Sequence, residues 1–168
     1  MKKGFTLLEL LVTMAVISVM ATVLIVIINP VETARRGRDS KRISELGTIK
    51  SSIDLALADR QSAPVTTNGN WINLSTSSSA NLDGNGLDIS KYMPVLSKDP
   101  GGTSVHVEAD CASHIDTASK KYEYKSNGSV YLIRAMMESK TNCDQIKNDG
   151  LSDNYYELGT VPSPFTGF

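Results

Sequence analysis

Cysteine and histidine are scarce in this 168-residue chain: two of each, with a single tryptophan. Serine is abundant, but there is no Gly-x-Ser-x-Gly elbow, and His106 and His114 are the only imidazoles available to a serine or cysteine nucleophile. No phosphate-binding loop, coenzyme fingerprint or internal repeat occurs, so no enzymatic activity is expected. His106, Cys111 and His114 are the only trio that suggests zinc, and their spacing fits no standard ligand pattern. Calcium-friendly oxygens lie at Asp83–Asp88 and Asp149–Asp153, without the alternating ligands and distal glutamate of an EF-hand. They read as turns, and no cofactor is expected. Asn73-Leu74-Ser75 and Asn127-Gly128-Ser129 match a glycosylation acceptor, a motif common by chance.

Charge is missing where it matters most. Between Lys3 and Glu32 the only ionisable side chain is Glu9. Residues 1–60 hold nine Lys and Arg against six Asp and Glu, a balance of +3; residues 61–168 hold eight against twelve, a balance of −4. An acidic C-terminal part argues against non-specific nucleic-acid binding, which needs clustered cations to release counterions. Cys111 and Cys143 are either two buried thiols or one disulfide. An outward-facing, membrane-anchored domain favours the bridge. It would close a loop of roughly 33 residues and contribute about 3–4 kcal/mol by the chain-entropy estimate.

Phe5 to Ile28 is an apolar run interrupted only by Glu9 and scattered hydroxyls. As a helix it reaches about 36 Å, enough for a hydrocarbon core of about 30 Å. A secretory signal would have a shorter apolar region and a small-x-small cleavage site, so the segment is expected to stay in the mature protein. Lys2 and Lys3 favour a cytoplasmic N-terminus, whereas Arg35, Arg36, Arg38, Lys41 and Arg42 beyond the span favour the opposite. Glu9 either lies near the interface and snorkels, or pairs with a cation supplied by something else in the membrane.

Lys-Lys-Gly followed by Phe-Thr-Leu-Leu-Glu-Leu and an unbroken apolar run resembles the prepilin leader of type IV pilins and pseudopilins. The resemblance implies an α+β fold, with a long N-terminal helix, transmembrane and then amphipathic, packed on a small antiparallel β-sheet. It implies a leader at residues 1–4, cleavage by prepilin peptidase after Gly4 and methylation of the Phe5 amine. It further implies that Glu9 neutralises the N-terminus of a neighbouring copy during assembly. Expected partners are copies of the chain in a helical filament, the peptidase, an inner-membrane assembly platform, and membrane lipid before assembly; no nucleic acid is among them. The chain would start as a single-pass protein of the cytoplasmic membrane with its C-terminal domain outside, and end in an extracellular or periplasmic filament. A pseudopilin of a type II secretion system, a minor or tip subunit, and a tethered binding protein that never polymerises are the alternatives.

The rest of the chain divides into a filament-core helix at 5–28, an amphipathic half at 29–60 and a globular head at 61–168. Asn29-Pro30 predicts a kink or a helix start. Ile43, Leu46, Ile49, Ile53 and Ala56 or Leu57 form a stripe at helical spacing within one long helix from Phe5 to Asp59. The charges between Glu32 and Glu45 are expected either to be solvated or to join stacked copies. Residues 61–91 read as a Ser/Thr/Asn/Gly loop anchored by Trp71, Ile72 and Leu74. Tyr92, Val95 and Leu96 are expected under the domain, and Asp99-Pro100-Gly101-Gly102 as a turn. Tyr92-x-x-x-Leu96-x-x-Asp99-Pro100 is similar to a segment of pseudopilins, but Gly101 stands where their major secretion subunit has an aromatic. Strands are predicted at 104–109, on both sides of Asn127-Gly128, and at 154–160. Alternation puts Arg134 on a sheet face, where it needs a partner. The tail "VPSPFTGF" should be irregular.

Overall fold

The computed structural model describes residues 4–60, 71–74, 89, 91–101, 105–108, 110–115, 121–127, 130–147, 149, 152 and 154–160. Residues 1–3 of the leader, most of the 61–91 loop including Asp83–Asp88, Gly128, Asp153 and the tail from 161 lie outside the described residues. The chain forms two compact units, Met1–Ala34 and Arg35–Phe168.

In the first unit, helix α1 spans Leu7–Ile28. Thr6 caps it from an extended conformation (φ −82°, ψ 151°), its hydroxyl accepting from the Glu9 amide at 3.2 Å. Thr6-x-x-Glu9 thus has the sequence of a capping box, and Glu9 sits in the first turn, where a negative charge suits the helix dipole. Apolar residues cover α1 on every side with no favoured face. The hydroxyls of Thr13, Ser18 and Thr22 donate to the carbonyls of Leu10, Met14 and Ser18 at 2.8–2.9 Å, so they ask nothing of the surroundings. Among the described residues, α1 is the one helix long and apolar enough to cross a membrane.

The long helix divides in two at Asn29-Pro30, where the sequence predicts a kink or a helix start. Asn29, in the left-handed region at φ 45°, ends α1, and helix α2 runs Pro30–Arg60. Asn29 also begins α2: its Oδ1 accepts from the Glu32 amide at 3.3 Å and its carbonyl from the Thr33 amide at 3.1 Å. The Thr33 hydroxyl reaches back to the Ile28 carbonyl at 3.3 Å. Pro30 has no N–H, so the break leaves few backbone groups needing water.

In the second unit, Leu46, Ile49, Ile53 and Ala56 of α2 lie buried against a four-stranded antiparallel sheet. Its strands are β1 (Ile72–Asn73), β4 (Glu123–Ser126), β5 (Tyr131–Ala135) and β6 (Tyr156–Gly159), ordered β1-β4-β5-β6. Tyr124, Tyr131, Ile133 and Ala135 meet the helix. A separate hairpin pairs β2 (Val105–Val107) with β3 (Ser113–Ile115). Val107, Met137 and Ile146 form a second, smaller core with Ile43 against it; Ile146 ends the single-turn helix α3 (Cys143–Ile146). Gly159 is required by close approach: a Cβ there would lie 2.2 Å from the Tyr131 carbonyl oxygen.

The α+β expectation and the hairpin around Asn127 hold: Glu123 pairs with Arg134 and Ser126 with Tyr131, and Asn127 closes the turn onto Val130. Three details differ. The loop segment contains strand β1, too short to show alternation, and β3 was not anticipated. Val95 is 80% exposed; Ile89 and Met93 are buried in the core instead, with Leu96 packed at its edge. Arg134 finds its partner across the strand, bonding Glu123 at 2.7 Å, with Trp71 and Tyr155 stacked on the guanidinium at 3.6 and 3.8 Å.

Candidate functional site

Gly4, Phe5 and Thr6 form a non-helical lead into α1 and all three are exposed, so the Gly4–Phe5 peptide bond is open to an enzyme. Nothing among the described residues lies within 4 Å of where a Cβ on Gly4 would sit. No packing contact among the described residues requires glycine there. Phe5 is 78% exposed. Glu9 is exposed on a helix whose other polar side chains satisfy themselves, and among the described residues no cation pairs with it.

The second unit handles charge differently. Asp39 and Arg42 continue the α2 stripe, seven and four residues before Leu46, and both are fully buried. Arg42 bonds Asp39 at 2.8 Å, Asp99 at 2.8 and 2.9 Å, Glu138 at 2.7 Å and the Gly101 carbonyl at 2.7 Å. Arg38 holds Glu138 at 2.6 Å. Asp39 also accepts from the amides of Glu138 and Ser139 at 2.8–3.0 Å and from Asn142 Nδ2 at 2.7 Å. Burial works to discharge Arg42, but hydrogen bonds and charge from Asp99 and Glu138 outweigh it and raise its pKa. Burial likewise works to raise the Glu138 pKa, and the bonds from Arg38 and Arg42 bring it below the ordinary glutamate value. The hydrogen bond that Arg38 donates to Glu138 is the main cause that raises the Arg38 pKa, against burial.

These residues narrow the expectation for the Glu32–Glu45 charges: Asp39 and Arg42 are buried on partners within the chain, and the half-buried Arg38 is held by Glu138. Further along α2, Glu45 accepts from the Tyr122 hydroxyl and Asp54 from the Tyr131 hydroxyl. Both tyrosine pKa values are raised, by burial first and then by the carboxylate. The network escaped the sequence because its members lie 57 to 103 positions apart. A signal existed: Asp39 and Arg42 fall on the 3–4 spacing of the apolar stripe.

The structure joins Cys111 to Cys143 as a disulfide. That removes the thiolate from the imagined His106, Cys111 and His114 trio; His106 stands opposite His114 across the hairpin, and His106 Nε2 lies 2.9 Å from Glu108. Cys111, Cys143 and Asp144 bring three potential ligand atoms within 4.8 Å, but the two sulfurs are bonded to each other. Asp149 serves its own backbone, accepting from the Glu157 amide at 2.7 Å.

Residues 1–25 match the family described as the prokaryotic N-terminal methylation motif. This is the leader signature of type IV pilins and pseudopilins, and it covers 25 of the 168 residues. The matched stretch contains Gly4, Phe5 and Glu9. No curated protein and no solved structure matches the chain.

Proposed function

We propose that the chain is a structural subunit of a type IV pilus-like filament. Prepilin peptidase removes residues 1–4 and methylates the Phe5 amine; copies then pack through α1. The observation that carries this reading is the methylation motif at residues 1–25, with Glu9 as the one charge on an otherwise self-satisfied apolar helix. Lipid is the first solvent of α1, and neighbouring α1 helices replace it. Dispersion and apolar contact then supply the cohesion without direction, and Glu9 supplies register. A copy displaced along the axis leaves a carboxylate and an amine apart in a low dielectric, where an unpaired charge is costly. The leader stays cytoplasmic and the head lies outside, where the Cys111–Cys143 bond persists.

The test is intact mass and N-terminal analysis of protein extracted from membranes. The expected product lacks Met1–Gly4 and begins with a methylated Phe5. Protein that keeps Met1 and disperses as single copies, under conditions where its assembly machinery is active, would overturn the reading. A secretion pseudopilus is the second reading, favoured by the Tyr92, Leu96 and Asp99-Pro100 segment. Extended fibres that sediment after shearing support the pilus; short assemblies confined to the envelope support the pseudopilus.

A further inference from the structure

Residues 136–142 form a strap whose only regular structure is one tight turn, at Lys140–Asn142. Four attachments, among others, hold it and its neighbour Cys143. The Val107 amide donates to the Met137 carbonyl at 2.9 Å. The Glu138 and Ser139 amides and the Asn142 amide group grip Asp39. The Glu138 carboxylate takes Arg38 and Arg42. The fourth is covalent: Cys143 follows Asn142 directly and is bonded to Cys111. The ionic attachment and the covalent one therefore lie within four residues of each other, Ser139 to Cys143.

Asp39, Arg42 and Glu138 are fully buried, so they are dry only while the strap is in place. Lifting the strap returns five charged groups to water, which solvates them well; the network therefore resists opening weakly for its number of contacts. Met137 packs in the small core with Val107 and Ile146, and the Cys111–Cys143 bond adds the shortened reach of a cross-linked chain. Cys111 adds a bias. It sits at φ 61°, a left-handed conformation unfavourable for a residue with a Cβ, held there by the disulfide and by its amide bonding the Glu108 carbonyl at 2.9 Å. Once the sulfur is released, the hairpin loop relaxes and the closed geometry is harder to regain.

We infer that the Cys111–Cys143 bond is a redox gate on the Asp39 network. A dithiol reductant attacks the half-buried Cys111 sulfur and forms a mixed disulfide, releasing Cys143 as a thiolate that takes up a proton. The second thiol of the reductant then displaces Cys111, leaving two cysteine thiols and one oxidised dithiol. The strap lifts, and Asp39, Arg38 and Arg42 lose their partners on it while the α2–sheet core stays closed. Exchange with a disulfide donor of the envelope reverses the step. A head made in a reducing compartment therefore keeps this network open until it has crossed the membrane.

The experiment is hydrogen exchange by mass spectrometry on the full chain in detergent, before and after dithiothreitol. Reduction should speed exchange of the Glu138 and Ser139 amides by about tenfold or more beyond whatever change it causes at Tyr124 and Ile133 in the sheet. Unchanged exchange at 138–139 after reduction would overturn the gate. So would equal loss across the sheet, which would make the bond a support for the whole head. The Cys111→Ser/Cys143→Ser variant should show the open pattern permanently; if it fails to fold, reduction of protein already folded still decides. Asp39→Asn with the disulfide intact should also speed exchange at 138–139, and protection as in the wild type would show that Asp39 is not the latch. All of these readouts stand whether or not the leader is cleaved.

Discussion

Glu9 and Asp39 are carboxylates on consecutive helices, thirty positions apart, and the chain treats them in opposite ways. Asp39 is buried, and its two oxygens take Arg42, Asn142 and two backbone amides of its own chain. Glu9 is exposed on an apolar helix, and its carboxylate has no partner among the described residues. Asp39 is dry because protein surrounds it; under the proposed function Glu9 is dry because lipid does, and both are then costly places for a charge. The difference lies in where the counter-charge resides. Asp39 is answered within the chain; under the proposed function Glu9 is answered by a neighbouring copy.

The strongest break of this contrast is Glu9→Ala. It should cut the yield of sedimentable fibre by more than about tenfold, since an unanswered charge in a dry site costs about 3–5 kcal/mol and ~1.4 kcal/mol is already tenfold. Thermal unfolding of the head should not change; fibre at the wild-type level would remove the register role. Arg42→Ala should do the reverse, destabilising the head by about 3–5 kcal/mol in urea unfolding, because Asp39 and Asp99 are left buried without their main cation. A loss under about 1 kcal/mol would mean that the carboxylates are solvated in solution. The Cys111→Ser/Cys143→Ser variant should cost about 2–4 kcal/mol, and equal stability of the oxidised and reduced protein would contradict that.

Titration gives a smaller effect whose sign can be worked out. The Glu138 pKa is lowered in the fold, so the stability it contributes is present above the ordinary glutamate range and is lost as pH falls through the folded value. Tyr122 and Tyr131 are raised, so their contribution is present below the ordinary tyrosine value of 10.0 and declines as pH climbs beyond it. Denaturation midpoints measured across pH should therefore fall at both ends, and Glu138→Gln should flatten the acid limb. The smallest change sharpens the contrast on the sheet. Arg134→Lys keeps the charge near Glu123 but loses the planar stack between Trp71 and Tyr155, costing about 1–2 kcal/mol in chemical unfolding.

Local signals were readable from residues alone. The leader, the apolar run and Glu9 sit within 28 positions, and Asn127-Gly128 marks its hairpin because an Asn-Gly turn matches the twist of paired strands. The apolar stripe from Leu46 to Ala56 announced the face that the sheet covers. What resisted reading was non-local. Asp39 meets Asn142, and Arg42 meets Asp99 and Glu138, through pairings that no periodicity encodes. A charged residue on a stripe looks like its edge until a partner arrives from a distant segment. β1 was hidden by its length, since two residues cannot alternate, and its place is set by Tyr124 and Glu123 opposite. Val95 looked like a core residue by type, yet Ile89 and Met93 fill the space it was expected to take.

Because α1 is equally greasy around its whole circumference and its hydroxyls are turned onto its own carbonyls, Glu9 alone distinguishes one side of the rod from another. Beyond the first turn the helix has no compass bearing of its own. In a polymer formed as proposed, the heads would then share with Glu9 the setting of the twist from one copy to the next.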